Sequence, residues 1–130
     1  MKKLLLLLFV PLVSFGQSAE DYHNRGDSKH NLEDYYGAIA DYTKSIELKP
    51  DASSYNNRGN SKINLKDYYG AIADYTKAIE INPNFIWAIR ARATTKANLG
   101  DKNGACDDWN KGALLFDSYC MERAIKCNYQ

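Results

Sequence analysis

Residues 24–47 read NRGDSKHNLEDYYGAIADYTKSIE, and residues 57–80 read NRGNSKINLKDYYGAIADYTKAIE. The two stretches start 33 residues apart and agree at 20 of 24 positions, differing only at Asp27/Asn60, His30/Ile63, Glu33/Lys66 and Ser45/Ala78. Self-similarity at a fixed period of this length marks an array of repeats, each burying its apolar face against the next. Within one unit the pattern is that of two helices joined by a turn. Tyr55, Gly59, Ser61, Ile63 and Leu65 fall on the first, while Ala71, Ile72, Tyr75, Ala78 and Ile79 follow helical spacing on the second. Asp67 stands ahead of that second helix, where a carboxylate caps free N–H groups, and Pro83 follows its end. Asp34 and Pro50 take the same places in the first copy.

These positions resemble the tetratricopeptide repeat, a helix–turn–helix unit. The first copy supplies the family's pattern with Tyr22, Gly26, Ala38, Tyr42, Ser45 and Pro50, and the second with Tyr55, Gly59, Ala71, Tyr75, Ala78 and Pro83. A third, diverged copy carries Ile89, Ala93, Leu99-Gly100-Asp101, Ala105, Trp109 and Gly112, with Asp117 where the final Pro would stand. The small residues suit close helix crossings. The resemblance implies an all-α fold, an α-solenoid of three helical hairpins spanning about residues 19–51, 52–85 and 86–117. The expected helices cover 20–32, 36–48, 53–65, 69–81, 86–99 and 103–116. A further helix over 118–128 is expected to cap the array's open apolar edge through Tyr119 and Ile125, with Met121 and Ala124. Arg25 and Asp41, Arg58 and Asp74, and Arg92 and Asp108 are each 16 residues apart, a spacing that brings them together across each hairpin as structural ion pairs.

Upstream of the repeats, residues 1–16 read MKKLLLLLFVPLVSFG: a basic start, a short apolar run, then small residues. This predicts a secretory signal peptide cleaved before Gln17, the alternative being an uncleaved membrane anchor, and with it an exported protein (periplasmic or secreted) and a single domain over residues 17–130. The apolar run is short for a membrane span, so no stable membrane insertion is expected after cleavage. Losing Lys2 and Lys3 leaves 15 basic against 16 acidic residues, which argues against nucleic acid as a partner. Export permits a disulfide. Cys106 and Cys127 are nearly equidistant from a turn at about residue 117, so antiparallel helices bring them level; they are the expected pair, the alternative being three reduced, buried thiols.

No nucleophile–base arrangement and no phosphate loop is present in the sequence, so no enzyme and no cofactor is expected; a thiol enzyme using Cys120 lacks a neighbouring base. His23, Asp27 and His30 share one helical face, but the second copy has Asn56, Asn60 and Ile63 there, so they read as a solvated face, with no metal expected. The family resemblance instead implies a concave groove lined by the first helix of each pair. Its positions here are His23, Asn24, Asp27, His30 and Asn31, then Asn56, Asn57, Asn60, Ile63 and Asn64, then Trp87, Arg90, Ala91, Thr94 and Asn98. Two of the four differences between the near-identical copies fall on this face. Asn24 and Asn57 match a position where family members bond a peptide backbone. The family's carboxylate clamp needs Lys or Arg where this chain has His23, Trp87 and Ala91, so that ligand is not implied. The resemblance points to a non-enzymatic module binding a peptide or protein segment. The alternative is a structural subunit or self-associating scaffold that uses its edges or convex face.

Overall fold

The computed structural model describes residues 16–129. The segment read as a signal peptide therefore lies outside the described residues, apart from Gly16. Among the described residues there are seven helices and no strand: α1 (Ala19–Asn31), α2 (Tyr35–Leu48), α3 (Ala52–Asn64), α4 (Tyr68–Ile81), α5 (Ile86–Asn98), α6 (Lys102–Leu114) and α7 (Ser118–Asn128). Each packs chiefly on its neighbours in sequence, α1 on α2, α2 on α3, and so on to α7, as a solenoid requires. The first six helices begin or end up to two residues from the expected bounds. The capping residues account for the starts: Asp34, Asp67 and Asp101 stand directly before α2, α4 and α6, each accepting a backbone N–H three residues on. Ser18 caps α1 in a reciprocal box with Asp21, Asp51 caps α3, and Asp117 caps α7.

The core is built from small residues set against tyrosine rings. Ala38, Tyr42, Ala71, Tyr75, Ala78, Ala88, Ile89, Ala93 and Ala105 are buried. Gly59 must be glycine for a specific reason: a Cβ there would stand 2.7 Å from Cε1 of Tyr75. Gly26 and Tyr42 repeat the same contact in the first hairpin.

The three Arg–Asp pairs meet across their hairpins, each Arg gripping its Asp through Nε and Nη2 at 2.5–3.0 Å. A lysine one turn beyond each Arg completes the group. Lys29, Lys62 and Lys96 lie 2.8, 2.9 and 3.0 Å from Asp41, Asp74 and Asp108. Each buried carboxylate thus faces two cations. Arg58 and Arg92 also donate Nη1 to Thr43 and Thr76, which belong to the preceding hairpin, so the same side chains fix one repeat on the next.

Helix α7 does cover the last hairpin, but with a face rotated from the expected one. Cys120 and Ala124 are buried and Tyr119 is half-buried, whereas Met121 and Ile125 are exposed. The inward stripe is set by Gly112, whose bare Cα lets the Cys120 side chain approach. It is also set by Cys127, which pairs with Cys106 at a Cα–Cα distance of 5.8 Å. Those contacts turn Ile125 outward.

Candidate functional site

Helices α1, α3 and α5 lie side by side, and their shared face carries two adjoining cavities. The larger, about 900 Å³, is bordered by α3 and α5. Asn56, Asn57 and Asn60 line one side, and Trp87, Arg90, Thr94 and Asn98 the other, with Ile63 and Ala91. The smaller, about 260 Å³, is lined by Asp27, His30, Asn31, Tyr42, Asn57 and Asn60. Asn57 and Asn60 border both, so the two cavities adjoin and together make a trough along the three helices.

The remaining residues expected in the groove are placed differently. His23 lines a separate hollow between α1 and the start of α3. Asn24 and Asn64 are exposed and line neither trough cavity. Both histidines are bonded to α3 across the repeat boundary: His23 Nδ1 to Ser54 Oγ at 2.7 Å and His30 Nδ1 to Ser61 Oγ at 2.8 Å. Among the described residues no three His, Cys, Asp or Glu side chains are grouped to hold a metal ion.

The trough floor is a hydrogen-bonded network. Tyr42 donates its hydroxyl to Asp27 Oδ1 at 2.7 Å, and Asn57 Nδ2 donates to the same oxygen at 3.1 Å. Asn56 Nδ2 donates to Asn57 Oδ1. One repeat on, Tyr75 donates to Asn60 Oδ1 at 2.8 Å, so Asn60 takes Asp27's role without its charge. Burial, aided in Tyr42 by the adjacent Asp27, pushes both phenols well above their ordinary pKa and keeps them as donors. Asn57 is thus held in place from both sides, while Asn60 Nδ2 bonds to none of the described residues.

Aromatic rings from outside the first-helix face also line the larger cavity: Tyr68 and Tyr75 of α4, Phe85 just ahead of α5 and, from the capping helix, Tyr119. Arg90 joins cap to trough. Its guanidinium carbon lies 4.6 Å from the Tyr119 ring centre and 5.6 Å from that of Trp87, and Nη1 is 3.7 Å from Asp117 Oδ2. The repeat spacing held no hint of Tyr119, because α7 lies beyond the third copy. Cys120 is fully buried, and burial together with Asp117 pushes its pKa up to about 12, which holds it as an unreactive thiol at neutral pH.

Tetratricopeptide repeat models match residues 19–51 and 52–85, together just over half of the chain. Among solved structures, the TPR2B domain of yeast Sti1 in its pHsp70 complex is 27% identical. It aligns over 86% of this chain and 97% of its own, with a TM-score of 0.77. The second TPR domain of human RPAP3, in complex with the HSP70 peptide SGPTIEEVD, is 26% identical over 85% of this chain and 94% of its own, with a TM-score of 0.76. The first TPR of Spaghetti (RPAP3), bound to the HSP90 peptide SRMEEVD, shares the fold at a TM-score of 0.78 and 22% identity, over 87% of this chain and 92% of that one. No curated protein matches the chain.

Proposed function

The chain belongs to the tetratricopeptide repeat family, and from that premise we propose that it is a non-enzymatic interaction module whose concave trough binds an extended peptide or protein segment. The observation that carries this reading is the pair of adjoining cavities along α1, α3 and α5, which share the amides of Asn57 and Asn60, the larger being lined by aromatic rings as well. Amides both donate and accept, which suits a peptide backbone, and aromatic walls suit its side chains. The Sti1 domain, in its pHsp70 complex, and the second RPAP3 domain, in complex with an HSP70 peptide, are similar to this chain over most of their length. Their ligand is not carried over, because His23, Trp87 and Ala91 stand where a carboxylate clamp needs cations.

The test is capture by the mature, oxidised protein against a bait carrying Asn57→Ala and Asn60→Ala, with an intact fold by circular dichroism. A partner retained by the wild type and lost by the double variant supports the trough. One held equally by both moves the interface elsewhere. Export is part of the same proposal and rests on residues 1–16; N-terminal sequencing of the protein from its producing cells should begin at Gln17.

A second reading, self-association through the C-terminal edge, is favoured by one observation. Leu114, Phe116 and Ile125 are 80%, 85% and 58% exposed at that edge. A sedimentation mass that rises with concentration, and falls back in Ile125→Glu, supports it.

A further inference from the structure

The trough carries an anion at one end only. Asp27, Asn60 and Thr94 occupy equivalent positions on α1, α3 and α5, and of these only Asp27 is ionisable. Its side chain is 42% exposed in the smaller cavity. Oδ1 is occupied by Tyr42 and Asn57, which fix the carboxylate's orientation. Oδ2 meets no Lys or Arg among the described residues; the nearest basic group is His23 Nε2 at 3.5 Å. This contrasts with Asp41, Asp74 and Asp108, which are each closed by two cations.

The other end offers rings around a single cation. Arg90 is the one Lys or Arg lining the larger cavity, and Asp117 and the two flanking rings already engage it. Trp87, Phe85 and Tyr119 surround that end. A ligand carboxylate would therefore share its one cation with Asp117 at one end and meet a like charge at the other.

Building on the trough reading, we propose that the ligand is a basic–aromatic peptide segment. A Lys or Arg side chain, or a free amino terminus, pairs with Asp27 Oδ2. An aromatic or bulky apolar side chain packs at the Trp87–Tyr119 end, and the intervening backbone crosses Asn57 and Asn60. Three helices side by side at 8–10 Å place the two ends about 20 Å apart, so about six extended residues separate the two anchors. The Asp27 end repels an acidic residue placed there.

The experiment is selection from a phage-displayed random dodecamer library on the mature, oxidised protein, followed by calorimetry with the enriched peptides. Enriched sequences should carry Lys or Arg about six residues from an aromatic. Asp27→Asn should weaken such a peptide about tenfold or more, yet leave unchanged a version with norleucine in place of the cation. The variant should fold, because Asn60 already accepts the Tyr75 hydroxyl in the equivalent place. If the enriched peptides are acidic, or indifferent to Asp27→Asn, while Asn57→Ala with Asn60→Ala abolishes their binding, the charge assignment is overturned and the trough stands. If nothing is enriched, or no trough substitution alters binding, the trough reading itself falls and this assignment with it.

Discussion

At the scale of single residues, the buried aspartates decide how rigid each hairpin is. Asp74 accepts two bonds from Arg58 and one from Lys62 while almost wholly buried. Removing it leaves two part-buried cations facing each other without their anion, so Asp74→Ala should cost about 3 kcal/mol in chemical denaturation. Glu80→Ala, which breaks an exposed pair with Lys77, should leave the midpoint unchanged. The pH response has a defined sign. The Arg25 hydrogen bonds outweigh burial and, with Lys29, hold the Asp41 carboxyl below the usual carboxylate range. Its contribution is therefore fully present above about pH 4 and is lost as pH falls through the depressed value. Acid titration of Asp41→Asn should show a shallower fall in stability over that window than the wild type. The Arg–Asp contacts were legible because a 16-residue spacing recurs three times. The lysines recur as well, four residues after each Arg. A pairwise spacing carries no sign that one buried carboxylate takes two cations.

At the scale of elements, the turn between the helices of each pair has one geometry and three different residues. Glu33, Lys66 and Gly100 all lie just past a first helix with φ of 63°, 62° and 88°. That left-handed conformation costs an L-residue about 1–2 kcal/mol and glycine almost nothing, and only the third repeat has glycine there. Lys66→Gly should therefore stabilise the protein by about 1 kcal/mol, measured by urea midpoint at constant slope, whereas Gly100→Lys should destabilise it by a similar amount. Glycine has the opposite role inside α3. Alanine normally favours a helix by about 1 kcal/mol, but the Tyr75 ring occupies the space a Cβ needs at Gly59. Gly59→Ala should lose about 1–3 kcal/mol despite its better propensity. The elements themselves were readable from repeat spacing and capping aspartates, both of which act within a few residues. The facing of α7 was not. A lone terminal helix has no second copy to fix its phase, and its outer residues Met121 and Ile125 are as apolar as those it buries. The close approach at Gly112 and the link to Cys106 decide which side turns in; the link follows from the cysteine spacing, whereas the approach at Gly112 is a contact between helices that no spacing records.

At the scale of the whole molecule, each hairpin touches only the next, so a perturbation at one end of the array should stay there. The trough was legible as a face, through the register of the repeats. Its chemistry was not, because the wall includes Tyr119 from α7 and the floor includes phenols from second helices, which no first-helix pattern contains. The Cys106–Cys127 link joins these two observations. It closes a 21-residue separation between α6 and α7, and α7 in turn supplies Tyr119 against Arg90. A loop of that size is worth about 3 kcal/mol in the chain-entropy account. In a nearest-neighbour array that stabilisation belongs to the last units and is not shared evenly. Replacing both cysteines, Cys106→Ser with Cys127→Ser, should therefore strip hydrogen-exchange protection from α7 first and from α6 second. Amides of α1–α4 should keep their wild-type protection. Peptide mapping of the wild type without reductant should find Cys106 and Cys127 joined and Cys120 free. The same double variant should bind trough ligands more weakly, because the Tyr119 wall is then held only by packing and the Arg90 contacts. A uniform loss of protection from α1 to α7 would mean that the array unfolds as one cooperative unit. Unchanged protection in α7 would mean that packing of Cys120 and Ala124 alone secures the cap.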